Sequence, residues 1–218
     1  MLVDVIAPAF FAIAVSSGSC AAPPRPEVAL SIVKQPERMD LTRSVEELTT
    51  MTVNSYKVPG FEGAKTHGAA HYPFTISSRT RFSGVENRRT RSICVWLKHV
   101  TIDVKIDPVI FIQRDAKPGS CRYNAILEHE QKHMKVDDAL IVKHAPLIKA
   151  AMDATVRRPV SIGEIPAAQI PSAQQRLSAP LQRALSGAIE NLRRERERLQ
   201  AEVDTAEEYR RVAAMCRR

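Results

Sequence analysis

The chain reads as α+β: a small antiparallel sheet packed against an H-E-x-x-H helix, with a long C-terminal amphipathic helix behind. Three observations point there. Residues 93–106 alternate apolar and polar side chains with the period of a half-buried strand. Residues 121–143 contain His129-Glu130-Gln131-Lys132-His133 inside one continuous helical pattern. Residues 181–212 carry Leu181, Leu185, Ile189, Leu192, Leu199, Val203, Ala206 and Val212 at helical spacing.

Along the chain, Val5 to Val15 form an apolar run of signal-peptide length. Small residues 16–22 and Pro23-Pro24 follow. The run is too short to span a bilayer, and its leading segment offers Asp4 but no lysine or arginine. Residues 1–22 are therefore expected to be a signal peptide, which places the protein in the periplasm or outside the cell. Cys20 after Ser17-Gly18-Ser19 raises lipoprotein processing as a variant, although the large apolar residue expected three positions earlier is missing. Cys94, Cys121 and Cys216 remain after cleavage and form no C-x-x-C pair, as expected of structural cysteines in an oxidising compartment. A Cys94–Cys121 bridge would staple the motif helix to the sheet. Alternatively, Cys216 clamps the C-terminal helix onto one of them.

Residues 23–50 read as a proline-bearing N-terminal tether, with a short segment or helix over 41–50. Residues 51–155 read as a metalloprotease-like domain. Within it, Val100, Ile102, Val104 and Ile106 share one strand face, and Thr101, Asp103 and Lys105 the other. Trp96, in the same register, is expected to anchor the core. Asp107-Pro108 predicts a tight turn joining this strand to Val109–Gln113 as a hairpin. Lys117-Pro118-Gly119 breaks the chain before the motif helix, and Pro146 should kink or restart that helix before it ends near Thr155. Residues 156–180, with four prolines, read as a linker, and 181–218 as a charged amphipathic helix free to bind a partner. Arg196 interrupts its apolar seam, against a long regular coiled coil.

The motif carries the chemistry. Residues four apart lie one above the other on a helix, so His129 and His133 can point at one cation with Glu130 beside them. They share a helix face with Ile126, Val136 and Leu140, which turns them toward the core. In a hydrolytic zinc site of zincin type, the metal acidifies a water and polarises a carbonyl. Glu130 takes the water's proton as general base. The third ligand is open. Asp137 lies two turns from His129, roughly 12 Å along the axis, too far to share the ion. His144 would need a glycine turn, and no glycine stands between Gly119 and Gly163. Asp153, Glu164, His67, His71 and His99 remain as candidates.

Composition narrows the partners. The net charge is +8 and 44% of the 218 residues are hydrophobic, enough for one moderate core. Much of the positive excess lies in residues 79–91 and in the Arg/Glu run 193–198. Neither is interleaved with the aromatics of a single-strand binder, so no nucleic-acid partner is expected. A solvated face or loose association with an anionic envelope fits better.

Tyr56-Lys57-Val58-Pro59-Gly60, Cys94 leading a strand, and Tyr123-Asn124-Ala125-Ile126-Leu127 ahead of the motif resemble the bacterial domain of unknown function 922 family, described as secreted zinc-dependent proteases. The resemblance covers roughly residues 53–150. It implies export and zinc-dependent peptide hydrolysis, with His129 and His133 as metal ligands and Glu130 as base. Lys132 departs from the small residue expected there. Two other classes stay open: a non-catalytic envelope structural or interaction protein with core histidines, and an exported metal-binding protein without hydrolytic activity.

Overall fold

The computed structural model describes residues 11–16, 20, 23–52, 64–158 and 160–216. In chain order these form strands β1 (Phe11–Ser16), β2 (Glu27–Lys34) and β3 (Arg38–Asp40), helix α1 (Val45–Met51), and strands β4 (Gly68–His71), β5 (Phe74–Asn87), β6 (Ser92–Ile106) and β7 (Val109–Ile112). Helix α2 (Cys121–Thr155), strand β8 (Ser161–Pro166), a 3-10 turn at Ala167–Gln169, and helices α3 (Ile170–Val203) and α4 (Ala206–Ala214) follow. The α+β class is thus observed. The Tyr56–Gly60 segment and residues 1–10 lie outside the described residues.

The chain divides into two compact units. One gathers residues up to 33, 75–105 and 143–191. Its sheet runs β1-β5-β6-β2, with β8 also paired to β6. β1 lies parallel to β5, so the sheet is mixed rather than antiparallel. β5 and β6 are hydrogen-bonded neighbours joined by the short turn 88–91, where Arg91 takes φ 55°. Val100, Ile102 and Val104 are all buried, as their alternation predicts. Nearer the turn the phase reverses: Val95 and Leu97 are buried and Trp96 is only half-buried. The change of phase falls between Leu97 and Val100, where Lys98 is exposed and His99 half-buried. Trp96 is therefore not the anchor its register suggested. Helical Ile148, Met152, Leu177, Leu181, Leu185 and Ile189 complete the unit's core.

Two expectations about connecting segments fail here. The tether contains β2 and β3, and the linker contains β8 and the start of α3. Prolines do not forbid this: Pro166 closes β8, and Pro171 sits in the first turn of α3, where a missing N–H leaves no bond unmade. Pro146 and Pro180 are carried inside α2 and α3, each assigned as one helix. Cys20 bonds Cys94. A cut after residue 22 would remove Cys20, and lipidation would consume its sulfur. Either therefore excludes this bridge.

The other unit comprises 34–74, 106–142 and the chain from 192 on. Its sheet runs β3-β7-β4, with β3 parallel and β4 antiparallel to β7. The expected hairpin across Asp107-Pro108 is not formed, because β6 and β7 belong to different sheets. Every residue of β7 is buried, so it takes a central place with a neighbour on each edge. Pro108 has no N–H to extend a β6 ladder, and its carbonyl accepts from Arg38 N at 3.0 Å. α1 starts on a capping box in which Ser44 and Glu47 exchange side-chain bonds with each other's backbone N–H. It buries Leu48 against Val109 and Phe111. β4 presses on α2: a Cβ at Gly68 would collide with Ile126 and come within 2.7 Å of Glu130 Oε1.

Candidate metal centre

The groups that form the centre all belong to the second unit. The four-residue spacing puts the imidazoles of His129 and His133 on one face of α2, edge to face with centroids 4.9 Å apart. Both Nε2 atoms turn to Oδ1 of Asp204, at 3.3 Å from His129 and 3.1 Å from His133. The two nitrogens are 3.3 Å apart. Zinc with bonds of about 2.0–2.1 Å and tetrahedral angles holds its donors about 3.3 Å apart. The triangle therefore has the size of a zinc ligand set, and these three residues can hold a divalent metal ion.

The opposite ring nitrogens are also used. His129 Nδ1 lies 3.3 Å from Glu208 Oε1, and His133 Nδ1 bonds Gln200 Oε1. The Gln200 amide nitrogen donates to the His133 carbonyl at 3.2 Å, which settles which end of the amide faces the ring. An Nδ1–H donated outward leaves each Nε2 lone pair for a metal, the usual arrangement around ligating histidines.

Protons compete for the same place. Burial works against a charged His133, but the Asp204 carboxylate outweighs it and lifts the pKa to about 9. His129 is raised by the same opposition of burial and Asp204. Burial pushes Asp204 up, yet hydrogen bonds from the two histidines hold it well below the usual carboxylate range. A metal must displace these protons to bind.

Glu130 is only 5% exposed. Burial raises its pKa, partly offset by the charges of His129 and His133, and the Ala70 backbone N–H of β4 bonds its carboxylate. Gly68 makes this approach feasible, since any side chain there would meet Glu130. The carboxylate is thus held beside the triangle without being one of its three corners.

Asp204 reaches the site because the chain leaves the helix there. Thr205 caps α4 in extended geometry (φ −102°, ψ 153°), and its side chain accepts from Glu208 N. α4 then places Glu208 against His129, and the Tyr209 hydroxyl donates to Asp204 Oδ1 at 3.2 Å. Lys132 donates to Glu208 Oε1 at 2.7 Å. Arg211 holds the same carboxylate and reaches Glu128 at 3.0 Å. Cys121, the first residue of α2, is disulfide-bonded to Cys216 just beyond α4. Of the two pairings considered from sequence, the clamp by Cys216 is observed.

The other candidate ligands lie elsewhere. Asp137 takes both ends of Arg196, at 2.6 and 2.8 Å. His67 bonds Gln113 and Arg122, and His71 stands beside Phe111 with ring centroids 6.4 Å apart. His99 contacts Glu27 and Thr101, Asp153 pairs with Lys149, and Glu164 is an exposed β8 residue. His144 is buried in the other unit. Asp204, Glu208, Gln200 and Tyr209 were not singled out from sequence. One signal for them exists: Thr205-x-x-Glu208 has the capping-box spacing that restarts a helix and so frees the preceding aspartate.

No protein-family model, curated protein or solved structure matches the chain.

Proposed function

We propose that this protein is an exported zinc-dependent hydrolase of peptide bonds. The observation that carries the reading is the convergence of His129, His133 and Asp204 on a zinc-sized triangle, with Glu130 buried alongside. A bound zinc ion supplies Lewis acidity, which acidifies a water and polarises a carbonyl. Glu208 and Gln200 orient the two imidazoles, and the Ala70 N–H and Gly68 hold Glu130 in place. Glu130 takes the proton of the attacking water and returns it to the leaving amine. Two disulfides support an oxidising compartment, periplasmic or extracellular. Among the described residues no helix is long and apolar enough to cross a membrane.

One observation favours a second reading, a non-catalytic envelope protein with core histidines. The cluster is complete without a cation if both imidazoles donate to Asp204, and no buried side-chain polar atom among the described residues lacks a partner. Elemental analysis of the full chain from an oxidising compartment separates the two. Zinc near one per chain, lost in His129→Ala/His133→Ala and in Asp204→Asn, supports the metal reading. A peptidase screen with Glu130→Gln as the inactive control then tests hydrolysis. A stably folded, metal-free wild type sinks it.

A further inference from the structure

We infer that the Cys121–Cys216 disulfide is a positioning bond of the metal centre: it holds α4 against α2, and with it the groups that aim His129 and Asp204 at the metal. The inference rests on the metal reading above.

The C-terminal stretch runs antiparallel along the first half of α2, and the contacts form a ladder. From one end its rungs are Cys121–Cys216, Glu128–Arg211, His129–Glu208, His133–Asp204, His133–Gln200 and Asp137–Arg196. The three rungs in the middle are those at the metal. Among the described residues, every group at the site that α2 and β4 do not supply comes from this stretch.

The stretch is held unequally along its length. Its α3 part is anchored by fully buried Leu192 and by the bond of Arg196 to buried Asp137. α4 has nine residues and none of them is fully buried. A helix that short is marginal by itself, and with no buried side chain it has little hydrophobic hold. Beyond its contacts with His129 and Asp204, its ties include ion pairs with solvent-facing partners such as Lys132 and Glu128, a class that contributes little to stability. Asp204 and Thr205 interrupt the helix just before it, so α4 can swing about them. The covalent bridge adds a tie that does not depend on those ion pairs. It lies two turns before His129 on α2 and two turns after Glu208, at the far end of α4. Without it the Glu208 carboxylate leaves His129 Nδ1 and the Tyr209 hydroxyl leaves Asp204 Oδ1. Partners of metal ligands typically contribute about 10- to 100-fold in affinity.

The test is a competitive zinc titration against a chromophoric chelator, on the full chain, with far-UV circular dichroism and thermal midpoint recorded for each metal-free sample. Cys121→Ser/Cys216→Ser is expected to bind zinc about 10- to 100-fold more weakly than wild type. Cys20→Ser/Cys94→Ser, which removes the bridge of the other unit, should stay within about threefold. Glu208→Gln alone should weaken binding. Combined with the double serine variant it should add less than its separate effect, because both act through the placement of α4. Wild-type affinity in Cys121→Ser/Cys216→Ser, or an equal loss in both serine pairs, overturns the inference and leaves the metal site standing. A wild type that binds no zinc overturns both.

Should the serine variant not fold, the bridge is read in the wild type. A water-soluble phosphine converts it, with one water, to two thiols and the phosphine oxide. A metal that binds only the docked form protects that form, so zinc should slow alkylation of Cys216, followed by mass spectrometry, several-fold and leave Cys94 unchanged. Equal rates with and without zinc refute the inference.

Discussion

Helix α3 changes character along a single face. In one unit it buries Leu177, Leu181, Leu185 and Ile189, apolar side chains at four-residue steps. From Leu192 the same step length continues as Arg196, Gln200 and Asp204, which meet Asp137, His133 and both motif histidines. α2 mirrors the change. Its residues 143–155 bury Ile148 and Met152, whereas 121–142 bury His129, Glu130 and Asp137 among apolar neighbours. Each helix therefore gives apolar side chains to the core of one unit and polar ones to the cluster of the other. Apolar burial stabilises regardless of ligand. A buried polar cluster contributes only when every member has its partner.

Three substitutions test that division. The largest effect belongs to the apolar stretch: Leu185→Ala should lose about 2–5 kcal/mol of stability, by the loss of buried methyl groups and the cavity left behind. Chemical denaturation checks the loss, and the surviving folded fraction should keep its zinc per chain. If zinc falls in step, the two stretches are not separable as described. Next comes Arg196→Met, which strands the Asp137 carboxylate, itself 2% exposed. The expected loss is about 3 kcal/mol, the lower end for a broken buried pair because the guanidinium still touches solvent. Asp137→Leu added to it should restore most of the stability, and no restoration would show that the pair is not what matters there. The smallest change is Gly68→Ala. It should cost about 1–3 kcal/mol through overpacking while zinc content stays at wild type. Under the proposed hydrolase reading, peptidase activity should fall because the added methyl displaces Glu130. Unchanged activity in a folded, zinc-loaded variant would remove Glu130 from the role of base.

The Arg196 result bears on how much could be read in advance. Arg196 looked like a flaw in an apolar seam, and Asp137 like a ligand too far from His129. They are partners, 59 residues apart, and neither local pattern contains the other. Lys132 is a similar case. It departs from the expected small residue, and its function is a contact with Glu208, 76 residues later. Asp107-Pro108 does end β6, but a break in a strand does not state whether the next strand folds back on the last one or joins another sheet. The prolines of 156–180 suggest a linker, although a proline that closes a strand or opens a helix interrupts neither.

By itself the sequence determined what local periodicity encodes. It paired His129 with His133 on one helix face, set Glu130 beside them, and put Val100, Ile102, Val104 and Ile106 on one side of a strand, because helix and strand geometry act over a few residues. The tertiary structure alone decided which sheet each strand joins, which cysteines bond, and that Asp204 completes the triangle from 71 residues beyond His133. Those outcomes depend on which surfaces bury one another, and side chains that meet only after the chain has packed leave no mark in the spacing of their neighbours.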